Sequence, residues 1–224
     1  MVLETDAITT LSRDPGDMTR RLGHALVWWS LAAAVGLLLG GATSFAQQHL
    51  PDGLRSFANS NSGWTLLAFA VVVVSTRWSS ARPWWVAAGV GLVVFHALLQ
   101  GYAIVSTLRG FPDSYGPGDF FFVVASLAGP VIGLAGLWWR SASGVRRAVG
   151  AAVFAAVMIG DGAWGLLRVV ETTGWLYWVL SIAVGLGFLA WTASRLLVAR
   201  RDRGLAVGLT IVGAALFAAL FSAL

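Results

Sequence analysis

Cysteine and lysine are both missing from this 224-residue chain, and charge of either sign is scarce. Without cysteine there is no disulfide framework, no thiolate metal site and no cysteine nucleophile. Without lysine there is no Schiff base to retinal or pyridoxal, which removes the seven-helix rhodopsin reading. Charged residues make up only 11% of the chain against 58% hydrophobic ones, and the mean hydropathy is +0.77. A chain of this size with so little charge is too apolar for a water-soluble domain, so lipid is the expected solvent for most of its surface.

What is present confirms that direction. Apolar residues run continuously in stretches long enough for a helix to cross about 30 Å of hydrocarbon. Spans are expected at residues 22–46, 62–77, 84–108, 119–139, 146–169, 174–197 and 204–223. The fold class is therefore all-α, a polytopic bundle of about seven transmembrane helices forming one domain over residues 21–224. Residues 1–20, with Glu4, Asp6, Asp14, Asp17, Pro15 and Gly16, read as a disordered tail without a signal peptide.

All fifteen basic residues are arginine, in keeping with a GC-rich bacterial genome, and twelve of them fall on one side of the alternating connections. These are Arg13, Arg20 and Arg21, then Arg77 and Arg82, then Arg140, Arg146 and Arg147, and finally Arg195, Arg200, Arg201 and Arg203. Arg55, Arg109 and Arg168 stand alone on the other side. The positive-inside rule then puts the amino terminus in the cytoplasm and the carboxyl terminus outside. Arginines at helix ends are explained by topology, so the net charge of +5 does not call for nucleic acid. Most of the twelve tryptophans read as interfacial anchors, with Trp64, Trp164, Trp175 and Trp178 toward the outer boundary.

Glycine pairs at four-residue spacing, Gly36 with Gly40, Gly129 with Gly133 and Gly204 with Gly208, are expected to bring helix backbones close. Pro130 removes a backbone hydrogen bond in the fourth span and is expected to kink it. In the connection 47–62, Asn59 to Ser62 ahead of an apolar run read as helix caps, with a lid over an outer pocket as the alternative.

The deepest acid is Asp161, between Gly160 and Gly162. Placing it mid-helix costs about 2.5 to 3.5 kcal/mol on insertion scales, so it should face protein or water. His96 and Gln100 lie one turn apart on the third span. At 1.5 Å per residue, His96, Gln100 and Asp161 come to roughly 18, 24 and 21 Å from the cytoplasmic face. A shared outward-facing polar pocket of Asp161, His96, Gln100 and Trp164 is the binding-site expectation, with Tyr102 and Ser126 as further lining. No catalytic set, metal site or cofactor motif appears: GxSxG, HExxH, a phosphate loop and paired carboxylates within one span are all lacking.

Gly40-Gly41-Ala42-Thr43-Ser44-Phe45, Ala58-Asn59-Ser60-Asn61-Ser62-Gly63-Trp64, Ala128-Gly129-Pro130-Val131-Ile132-Gly133 leading to Trp138-Trp139-Arg140, and Gly160-Asp161-Gly162 together resemble a family of small uncharacterised actinobacterial polytopic membrane proteins. The resemblance covers residues 36–178. It implies a multi-pass protein of the bacterial cytoplasmic membrane and brings with it no activity and no functional residues.

The expected function is binding or transport of a small-molecule solute. A membrane-embedded enzyme acting on a lipid or isoprenoid is one alternative, for which Asp119 is the only second acid on offer. A structural or partner-binding subunit is the other. Membrane lipids, a solute and a membrane partner protein are the partner classes; nucleic acid is not.

Overall fold

The computed structural model describes residues 15–78 and 83–223, and every regular element among them is a helix. In chain order these are α1 (Pro15–His49), a 3-10 helix (Asp52–Asn59), α2 (Asn61–Ser75), a 3-10 turn (Thr76–Trp78), α3 (Trp84–Leu108), α4 (Phe120–Trp139), α5 (Gly144–Arg168), the single turn α6 (Val170–Thr173), α7 (Leu176–Arg195) and α8 (Arg200–Ala223). The expected tail is helical from Pro15 onward, so α1 starts seven residues earlier than its apolar run; residues 1–14 lie outside the described residues, as does Arg82.

Six helices, α1 from Met18 onward, α3, α4, α5, α7 and α8, are long and apolar enough to cross a membrane. The 3-10 helix and α2 form a pair bent by 58°, a seventh crossing if the pair is one span. Large apolar side chains such as Leu38, Leu127, Ile211 and Leu216 point outward rather than inward. That is the surface a bundle presents to lipid, and a liability for one bathed in water. The chain is built as a multi-pass membrane protein.

α1 packs along α3, α3 on α4, α4 on α5 and α2, and α5 on α7 and α8. α2, the shortest of the long helices, supplies the centre: its Trp64, Phe69 and Val72 join Val94 and Leu98 of α3 and Phe154 of α5 in the main core. Phe69 and Phe154 lie 4.5 Å apart between ring centres, and Phe154 meets Phe188 of α7 at 4.7 Å, edge to face. Such contacts add about 0.5–1.5 kcal/mol beyond the area they bury.

Small residues make the close crossings where two helices meet. A Cβ on Gly40 would overlap the Leu98 carbonyl of α3, and one on Gly133 would overlap that of Ala87. The Gly204–Gly208 pair departs from expectation, because both glycines face open space on the outer side of α8. α4 continues through Pro130 as one helix, and the space beside Gly129 is taken by the backbone of α3 at Leu92. Two of the expected interfacial tryptophans, Trp64 and Trp178, are buried core residues, whereas Trp84, Trp175 and Trp191 are exposed near helix ends.

Candidate functional site

The first turn of α2 opens inside the bundle. Fifteen residues of α-helix span about 22 Å, less than the roughly 30 Å of a hydrocarbon core. The helix start is sunk beside α5, roughly 10 Å short of the Arg168 end of that helix at 1.5 Å per residue. A helix N-terminus leaves N–H groups without partners, and in an apolar setting each must find an acceptor.

Asp161 is one of those acceptors. Its carboxylate takes the Ser62 N–H at 2.9 Å, the Ser62 hydroxyl at 2.5 Å and the Asn61 side-chain amide at 3.1 Å. The Ser60 hydroxyl oxygen accepts from the Gly63 N–H at 3.0 Å. The Tyr177 hydroxyl of α7 bridges Ser60 and Ser62 at 2.6 and 2.7 Å. Asp161 is 1% exposed, so its oxygens satisfy N-terminal donors of α2 that have no access to water.

Both glycines around it are required by packing. A Cβ on Gly160 would stand 2.8 Å from the Phe217 Cβ of α8, and one on Gly162 would stand 2.7 Å from Ile182 Cγ1 of α7. α7 and α8 therefore close on either side of the aspartate and leave α2 as the element it faces.

His96 and Gln100 are placed elsewhere. His96 Nε2 lies 3.0 Å from the Ser126 hydroxyl of α4, with its ring against Phe122. The Gln100 amide donates to the Tyr115 carbonyl at 2.8 Å in the α3–α4 connection. Tyr115 in turn donates to Asp113, and burial, reinforced by that carboxylate, pushes its phenol well above the usual range. Tyr102 donates to Gln47 of α1. Arg109 binds the Ser44 carbonyl and the Gln48 side chain, closing the end of α1. The expected convergence of Asp161, His96 and Gln100 does not occur: α3 packs on α1 and α4, not face to face with α5. Rise along a helix gives depth and says nothing of which neighbour a side chain turns toward.

Trp164, by contrast, lines a cavity of about 600 Å³. Its walls are Gln47 at the end of α1, Asp52, Arg55, Ser56 and Asn59 of the 3-10 helix, and Trp164, Thr173 and Trp178 at the corner of α5 to α7. Asp52 and Arg55 pair with each other at 3.0 Å. The indole N–H groups are taken by protein, Trp164 by the Phe221 carbonyl at 3.0 Å and Trp178 by the Thr173 hydroxyl at 2.9 Å. Asn59 on the wall is followed at once by Ser60, Asn61 and Ser62, so the cavity and the Asp161 contact share one stretch of chain. No three His, Asp or Glu side chains among the described residues come together as a metal site would need.

Sequence reasoning read Ser60 to Ser62 as helix caps and Asp161 as a pocket acid without joining them, and it missed Tyr177. Fold and site define a multi-pass helical membrane protein with a polar cavity at the 3-10 end of its bundle. Within that class, the chain belongs to a family of unknown function (DUF6518), whose pattern matches residues 19–224. No curated protein and no solved structure matches it.

Proposed function

We propose that this is a seven-span protein of the bacterial cytoplasmic membrane, amino terminus inside and carboxyl terminus outside, that binds a small solute in its 3-10-end cavity for capture or transport. The cavity carries the proposal. Its volume of about 600 Å³ falls in the range of roughly 300–1,000 Å³ typical of small-molecule sites, and it combines aromatic walls with a few polar groups. The scarcity of arginine at this end of the bundle supports its outward orientation. Asp161 acts here as a positioning residue: by fixing the start of α2 it fixes the 3-10 helix that forms one wall.

The enzyme reading has no observation in its favour. Asp119, the second acid it would use, accepts the Gly116 N–H at 2.6 Å before α4, and all three donors near Asp161 belong to the start of α2.

The test is a thermal-melting screen of the detergent-purified protein against a library of small solutes, repeated with Trp164→Ala. A solute that raises the melting temperature of the wild type and has lost that effect in the variant supports the proposal. Shifts that persist unchanged in Trp164→Ala, or none from any solute, sink it.

A further inference from the structure

The polar groups of the cavity are graded by depth, and the charged ones are at the mouth. Asp52 and Arg55 have side chains 88% and 54% exposed and are already paired with each other. Arg55 also donates to the Leu50 carbonyl at 3.3 Å. The most buried polar lining residue of the 3-10 helix is Ser56, 9% exposed, whose hydroxyl makes no hydrogen bond among the described residues. A serine in a helical segment ordinarily satisfies its hydroxyl on a carbonyl one turn back; Ser56 does not, although Ser75 and Thr210 do.

Around Ser56 the remaining hydrogen-bonding capacity is neutral. Among the described residues the exposed Asn59 amide makes no hydrogen bond, and Gln47 uses only its carbonyl oxygen, on Tyr102. Thr172 and Thr173 give their protons to the Val169 carbonyl. With its N–H engaged by Phe221, half-buried Trp164 has carbon surface left to offer.

We infer that the solute is uncharged and hydroxyl-rich, a sugar or polyol, bound with its hydroxyls on Ser56, Asn59 and Gln47 and its C–H surface against Trp164. The inference rests on the cavity being the binding site. A charged solute reaching Ser56 would give up hydration with no free counter-charge beside it, which is strongly unfavourable. A neutral polyol exchanges water hydrogen bonds for those of hydroxyl and amide groups while its apolar face covers an indole.

The experiment is melting of the purified full-length protein with millimolar glucose, a disaccharide, mannitol, glutamate, arginine and phosphate, comparing wild type, Ser56→Ala and Trp164→Ala. Ser56→Ala leaves no protein group unpaired, so that variant folds even if the Trp164 variant does not. The expected result is a saturable shift of several degrees with at least one neutral compound, with apparent affinity at least tenfold weaker in Ser56→Ala, and no shift with the charged ones. An equal shift in wild type and Ser56→Ala is general exclusion of sugar from the protein surface and overturns the inference. A charged solute whose effect requires Trp164 overturns the solute class and leaves the cavity standing. No saturable shift with any of these compounds overturns the inference and leaves the cavity to be judged by the wider solute screen.

Discussion

Asp161 caps a helix that begins inside the bundle, and its variants should report that. Asp161→Ala strands the Ser62 N–H away from water and leaves the Ser62 hydroxyl with Tyr177, a loss of about 1–3 kcal/mol. Asp161→Asn keeps an oxygen acceptor and should fall between wild type and alanine, so melting temperatures follow Asp, Asn, Ala in descending order. Indistinguishable Asp161→Ala and wild-type melts would contradict the assignment. His96 and Gln100 give the complementary prediction. His96→Ala and Gln100→Ala should leave every solute-induced shift at its wild-type size, because both side chains are engaged in the α3–α4 region; a lost shift would return them to the site. The chemical standing of Asp161 was legible in the sequence as an acid in an apolar span. Its partner was not, because Ser62 lies 99 positions away and only the packing of α2 against α5 brings the two together.

At the scale of elements, the span limits were written in the runs of apolar residues: α3 occupies 84–108 as expected, and the other helices start or stop within four residues of the expected limits, except that α1 begins at Pro15. Glycine spacing was less informative. Gly133 and Gly208 sit in the same four-residue pattern, yet the first meets the α3 backbone and the second meets nothing within 4 Å. Which face of a helix meets lipid depends on neighbours that local sequence does not name. The consequence is a pair of substitutions with opposite outcomes. Gly133→Ala pushes a methyl group into the Ala87 carbonyl and should destabilise the protein by about 1–3 kcal/mol, as overpacking does. Gly208→Ala should leave the melting temperature unchanged. Equal effects would show that the α3–α4 contact is not the close crossing described.

For the whole molecule, the two ends of the bundle differ in kind. One end gathers Arg140, Arg146, Arg147, Arg195, Arg200, Arg201 and Arg203 around two short connections, α4 to α5 and α7 to α8. Two of them also close the end of α7: Arg147 donates to the Leu196 carbonyl at 2.7 Å and Arg203 to that of Leu197 at 2.8 Å. The other end holds the 3-10 helix, the cavity and the longer connections. The arginine count made this polarity readable without a structure, whereas the cavity depends on a 3-10 helix whose residues carried only cap and loop signals. Because the chain has no native cysteine, single cysteines can report sidedness without background. The most direct test of an outward-facing cavity is thiol labelling of intact cells with a membrane-impermeant maleimide, using Asn59→Cys in the cavity, Ser114→Cys at the same end and Ala142→Cys at the arginine end. The first two should be labelled on intact cells and the third only after the membrane is opened. Labelling of Ala142→Cys alone on intact cells would invert the topology and turn the cavity toward the cytoplasm, contradicting the proposal.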